Sequence, residues 1–120
     1  MRSEPVLVLL VEDNEDHAEL LKRTLREAAA MVRIVHARDG EAALDYLGLS
    51  GTEPGEGRNE TPGLVLLDLR LPRIDGLDVL RRIKEAKRLR LVPVVVLTTS
   101  SAPSDISRAY RLHANSYLAK

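Results

Sequence analysis

The chain has 120 residues, of which 44% are hydrophobic, and its 18 basic side chains balance 18 acidic ones. That supplies one apolar core and little length for a second domain, so wholesale disorder is set aside. Zero net charge with only three tyrosines disfavours a nucleic-acid surface, and the lack of cysteine excludes disulfides and thiol chemistry.

Pro5 to Val11 (PVLVLLV) is a short apolar run of strand type. Ala18, Leu21, Leu25 and Ala28 then recur at helical spacing, with Glu19, Lys22, Arg23 and Arg26 on the opposite side. Arg33 to Ala37 (RIVHA) reads as a weaker strand near a sheet edge. Asp39 is placed to cap a helix that turns Ala43, Leu44 and Leu47 inward. Gly48 to Pro62 (GLSGTEPGEGRNETP) has no apolar period and reads as a mobile surface loop with nothing to anchor it.

Leu64 to Leu67 form the next strand, and it runs into a carboxylate, Asp68. Leu77, Leu80 and Ile83 mark a third helix with Asp75 near its start. Val92 to Leu97 (VPVVVL) is a fourth strand, with Pro93 tolerable near its beginning. A fourth helix covers roughly Pro103 to Leu112, and Ser116 to Ala119 (SYLA) is a last short strand. Strand and helix alternate, and the third and fourth strands are apolar without alternation, as in parallel strands covered on both faces. The expected architecture is therefore α/β, a doubly wound five-stranded parallel sheet in the order 2-1-3-4-5, flavodoxin-like.

In such sheets ligands bind beyond the carboxyl ends of the strands. That rim receives Glu12 and Asp13 from the first strand, Asp68 from the third, Thr98 to Ser100 from the fourth and Lys120 from the fifth. Three carboxylates at one rim would repel one another, and a divalent cation removes the conflict. Oxygen donors without nearby histidine or cysteine point to Mg²⁺. Each group alone has an ordinary reading: an acidic first turn, a turn residue, a hydroxyl on local backbone, a terminal lysine. Their joint arrival at strand ends, in order, favours a site.

These segments, LLVEDNEDHAELL, LVLLDLRLPRIDGLDVL, PVVVLTTS and ANSYLAK, resemble a response-regulator receiver domain, the CheY-like phosphoacceptor module of two-component signalling. The resemblance spans Val6 to Lys120, so residues 1–120 are expected to form a single receiver domain. It implies that Asp68 takes a phosphoryl group from a sensor histidine kinase. It also implies that Asp13, Glu12 and the backbone carbonyl of Arg70 bind Mg²⁺, that Thr98 and Lys120 hold phosphoryl oxygens, and that Tyr117 is the switch residue. The long loop and the LTTS and LHANSYL stretches are similar to single-domain regulators that accompany phytochrome-type kinases. Such a protein signals by protein contact or onward phosphotransfer, and catalyses only its own phosphorylation and dephosphorylation.

Two departures stand out. Arg70 occupies a position where the family often has a polar residue such as Asn, and His113 stands where many relatives have Gly. Receivers ordinarily continue beyond the lysine with a fifth helix, absent from this chain, so a homodimer covering the exposed sheet face is expected. No apolar run is long enough to cross a membrane, and a cytoplasmic location is expected. The rival readings are a Mg²⁺-dependent phosphohydrolase with an aspartyl nucleophile and a receiver-like scaffold that never takes phosphate. His17 and His36, without partners at metal spacing, read as ordinary surface and strand residues.

Overall fold

A computed structural model describes residues 5–28, 31–49, 59–98, 103–112, 114 and 116–119, with only the backbone at 98, 103–105 and 116–119. The elements in chain order are β1 (Val6–Val11), α1 (Glu15–Ala28), β2 (Val32–Ala37), α2 (Gly40–Leu47), β3 (Leu64–Asp68), α3 (Gly76–Glu85), β4 (Val94–Thr98), α4 (Pro103–Arg111) and β5 (Ser116–Ala119). All pairings are parallel, in the order β2-β1-β3-β4-β5.

The five-stranded sheet expected from the sequence is corrected in its make-up. The described core side chains come from four parallel strands, β2-β1-β3-β4, and from four helices. Ser116–Ala119 pairs with the outer edge of β4, Val96 opposite Tyr117 and Thr98 opposite Ala119. That segment is described by its backbone alone, which pairs along one side with β4.

Strand alternation divides the core in two. Leu9, Val11, Val65, Leu67, Val94 and Val96 face the apolar sides of α2, α3 and α4, where Leu44, Leu80, Ile83 and Ala109 lie fully buried. Val8, Leu10, Leu66 and Leu97 point the other way and meet Ala18, Leu21 and Leu25 of α1. Helix starts are fixed by side-chain caps. Asn14 Oδ1 accepts from His17 N at 3.0 Å, Asp39 Oδ1 from Ala42 N at 2.8 Å and Asp75 Oδ1 from Leu77 N at 3.0 Å. At its far end α2 closes on Gly48, whose φ of 75° is the left-handed conformation that a glycine adopts at little cost.

Two local expectations change. The fourth strand begins at Val94, because Lys84 Nζ donates to the carbonyls of Arg90 at 3.1 Å and Val92 at 2.7 Å and holds residues 86–92 in a turn. Pro93 enters the ladder only as an acceptor, from Val65 N at 3.0 Å. The loop from Gly48 to Pro62, of which 50–58 lie outside the described residues, is anchored where it returns. Arg33 makes two 2.7 Å hydrogen bonds to Glu60, Tyr46 Oη donates to the Glu60 carbonyl at 3.0 Å, and Asn59 Nδ2 donates to the Tyr46 carbonyl at 3.0 Å.

Gly76 lets α3 begin against the end of β3. A Cβ there would stand 2.5 Å from the Asp68 carbonyl oxygen and 2.6 Å from Leu69 Cα, both backbone and unable to give way. Gly76→Ala is expected to destabilise by about 1–3 kcal/mol through overpacking, read as a lowered midpoint in urea unfolding. Burial, with Glu60 adding to it, raises the Tyr46 phenol above its ordinary 10.0. A raised folded-state value favours the native state below the unfolded value and loses that contribution as pH climbs through the folded one. Tyr46→Phe should therefore cost about 0.5–1.5 kcal/mol at neutral pH, the worth of one hydrogen bond. The gap to wild type should close above about pH 10, measured by urea midpoints across that range.

Candidate functional site

The site grows from the carboxyl ends of β1 and β3. Val11 pairs with Leu67 across these strands, so Glu12 and Asp68 leave the sheet side by side. Glu12 is 1% exposed and Asp68 4%, the two buried charged residues of the described chain, while Asp13 is exposed. Buried carboxylates need partners, and much of that partnership is backbone. Asn14 N donates to Glu12 Oε2 at 3.2 Å, and Arg70 N donates to Asp68 Oδ1 at 3.0 Å.

The Glu12 backbone is fixed from the neighbouring strand as well. Its amide donates to the Ala37 carbonyl at 3.0 Å, and its carbonyl lies 2.7 Å from His36 Nε2. His17 Nδ1, in the first turn of α1, stands 3.7 Å from Glu12 Oε2. Both histidines, read from sequence as ordinary residues, thus adjoin the site. The available signal was register: His36 pairs with Leu10, two residues before Glu12.

One oxygen from each of Glu12, Asp13 and Asp68 lies within 4.8 Å of the others. Two ligand oxygens on opposite sides of one Mg²⁺ are about 4.2 Å apart. Three carboxylate oxygens at that spacing would hold one small dication. The donors are all oxygen and one member faces solvent, which suits a hard cation that keeps several waters.

Of the residues singled out in the sequence, Glu12, Asp13 and Asp68 come together, and the Arg70 amide meets Asp68. Thr98 ends β4, the strand beside β3, and Tyr117 sits on β5; their side chains lie outside the described residues, as do Lys120 and His113. Between β3 and α3 the chain makes a tight three-residue turn, Ile74 N donating to the Pro72 carbonyl at 2.7 Å around Arg73 at φ 66°. This strained conformation carries the Arg73 guanidinium to Asp39 at 3.1 Å and to Glu41 at 3.7 Å. Nothing in the sequence signalled that link between the site loop and α2.

A family model described as response regulator receiver domain matches residues 8–120. The probable methanogenesis regulatory protein FilR2 of Methanothrix harundinacea is 53% identical over 117 residues, covering 98% of this chain and 73% of that protein. Response regulator Rcp1 of Synechocystis is 40% identical over 116 residues, covering 97% of this chain and 77% of that protein. The Mn²⁺-bound crystal form of Rcp1 matches with a TM-score of 0.86 over 97% of this chain and 81% of that one. The phosphorylated cyanobacterial phytochrome response regulator RcpA, 40% identical, matches with a TM-score of 0.85 over the same shares, 97% and 81%.

Asp13→Asn removes one negative charge from the exposed side of the trio without touching the core. It should weaken Mn²⁺ or Mg²⁺ binding by at least about tenfold, or 1.4 kcal/mol, in calorimetric titration, with the melting temperature held or raised.

Proposed function

The chain belongs to the response regulator receiver domain family, and from that premise we propose that Asp68 is the phosphoacceptor of a single receiver domain spanning residues 1–120. The observation that carries this is the placement of Asp68. A nearly buried carboxylate ends a rigid strand, one oxygen held by the Arg70 amide, with two further carboxylates within 4.8 Å.

Glu12, Asp13, Asp68 and the Arg70 carbonyl are the proposed ligands of Mg²⁺. The cation, when bound, neutralises charge on the incoming phosphoryl oxygens. The chain's own part is positioning. The Arg70 amide orients Asp68, whose oxygen bonds to phosphorus as the phosphorus–nitrogen bond of a kinase phosphohistidine breaks and the imidazole keeps the electron pair. Thr98 and Lys120 are proposed to hold the transferred oxygens, and Tyr117 to change rotamer with Thr98, a two-state element biased by one local charge event.

The partner is a sensor histidine kinase. Similarity to RcpA, named for a cyanobacterial phytochrome, supports a phytochrome-type kinase. A cytoplasmic setting goes with that partner, and among the described residues no helix is long and apolar enough to cross a membrane. Leu64 and Val95, packed at the border of the α1-side core but only partly covered, support a homodimer through that face.

Incubation with Mg²⁺ and acetyl phosphate should add one phosphoryl group, seen by intact mass and lost in Asp68→Asn. An adduct that persists in that variant would move the acceptor elsewhere. Turnover of unrelated phosphate esters would instead indicate a hydrolase.

A further inference from the structure

Two depressions that share Leu77 and Arg108 lie beside α3 and α4. The first, about 270 Å³, opens beside the β3–α3 loop, with Leu69, Leu71 and Leu77 as its floor and Arg70, Arg73 and Arg108 around it. The second, about 240 Å³, continues along α3 and α4, sharing Leu77 and Arg108 and adding Arg81, Arg111 and Leu112. Leucines and arginines together line the pair.

Its acids are already committed. Asp75 caps α3 through Leu77 N, and Asp78 is held by Arg81 at 3.0 Å. Arg73 is spent on Asp39 and Glu41, and Arg81 also reaches Glu85 at 3.4 Å. Arg108 and Arg111 differ: both are exposed on α4, and neither makes an ion pair among the described residues. In a chain of zero net charge, positive charge with no described ion-pair partner is thus gathered along these depressions.

We infer that the α3–α4 channel is a docking surface for an acidic, leucine-bearing segment of a partner protein, its carboxylates on Arg108 and Arg111 and its apolar side chains in the two depressions. Arginine clusters recognise carboxylates with fork geometry, and an apolar floor beneath them adds side-chain pockets to charge. Each depression is smaller than the roughly 300 Å³ at which small-molecule pockets begin. Two of them in series suit a chain that sets one side chain into each, rather than a compact ligand. The test uses the unphosphorylated protein, with no phosphodonor.

The probe is a short fluorescein-labelled peptide of alternating glutamates and leucines, followed by anisotropy and by amide shifts in NMR. Saturable binding is expected, weakening with salt and shifting the amides of Leu77, Arg108 and Leu112. The double variant Arg108→Glu, Arg111→Glu should bind at least tenfold more weakly, and the same peptide with lysines for glutamates should not bind. Should the double variant fail to fold, Arg108→Gln with a wild-type melting temperature should still weaken binding severalfold. Equal binding by the folded variant, shifts confined to other faces, or no saturable binding overturns the inference. So does displacement of the peptide by pyrophosphate or single-stranded RNA at comparable concentration, which would make the channel a general anion site.

Discussion

Two nearly buried carboxylates at the end of an apolar sheet are the constraint on which the other features rest. Glu12 and Asp68 have left water, and each is met by a backbone amide from the chain just beyond it, Asn14 for one and Arg70 for the other. Those amides are available only because the chain turns sharply after each strand. After β1 the turn is closed by the Asn14 cap of α1, and after β3 by the tight turn at Arg73 and the close approach of Gly76. The site is thus assembled from strand ends and helix starts, rigid elements that hold side chains in a narrow range of positions.

That rigidity suits the chemistry of the family. Transfer of a phosphoryl group asks a protein mainly for alignment and charge compensation. Three oxygens gathered within 4.8 Å make a place for one dication, while the exposure of Asp13 leaves a side open to solvent and to a donor. Glu12 is the most constrained of the three. Its amide and carbonyl both engage β2, through Ala37 and His36, so the edge strand helps to set the site even though it carries none of the acids.

Much of this was legible in the sequence because its signals are local. Uninterrupted apolar runs announce covered strands, helical spacing locates the buried faces of α2 and α3, and Asp39 and Asp75 stand where caps belong. The acidic trio could be read because parallel topology sends every carboxyl end to the same rim. What could not be read depends on contacts across long separations. The start of β4 is decided by Lys84 reaching eight residues along to the Val92 carbonyl, the nearness of His36 to Glu12 by strand register, and the Arg73 link by a left-handed backbone at a non-glycine residue.

The anchors at Tyr46, Asn59, Glu60 and Arg33 have a consequence for how this architecture tolerates change. They tie the chain just before β3 to α2 and β2, and Leu49 N on the Leu44 carbonyl fixes it just after α2, so the alignment of β3 against β1 is decided outside the intervening stretch. Lengthening a loop between fixed ends costs little, about 0.6 kcal/mol for each doubling. The stretch between the clamps is therefore the natural place for kindred chains to diverge in length, or for a foreign segment to be grafted, while the acidic rim at the opposite end of the strand keeps its geometry.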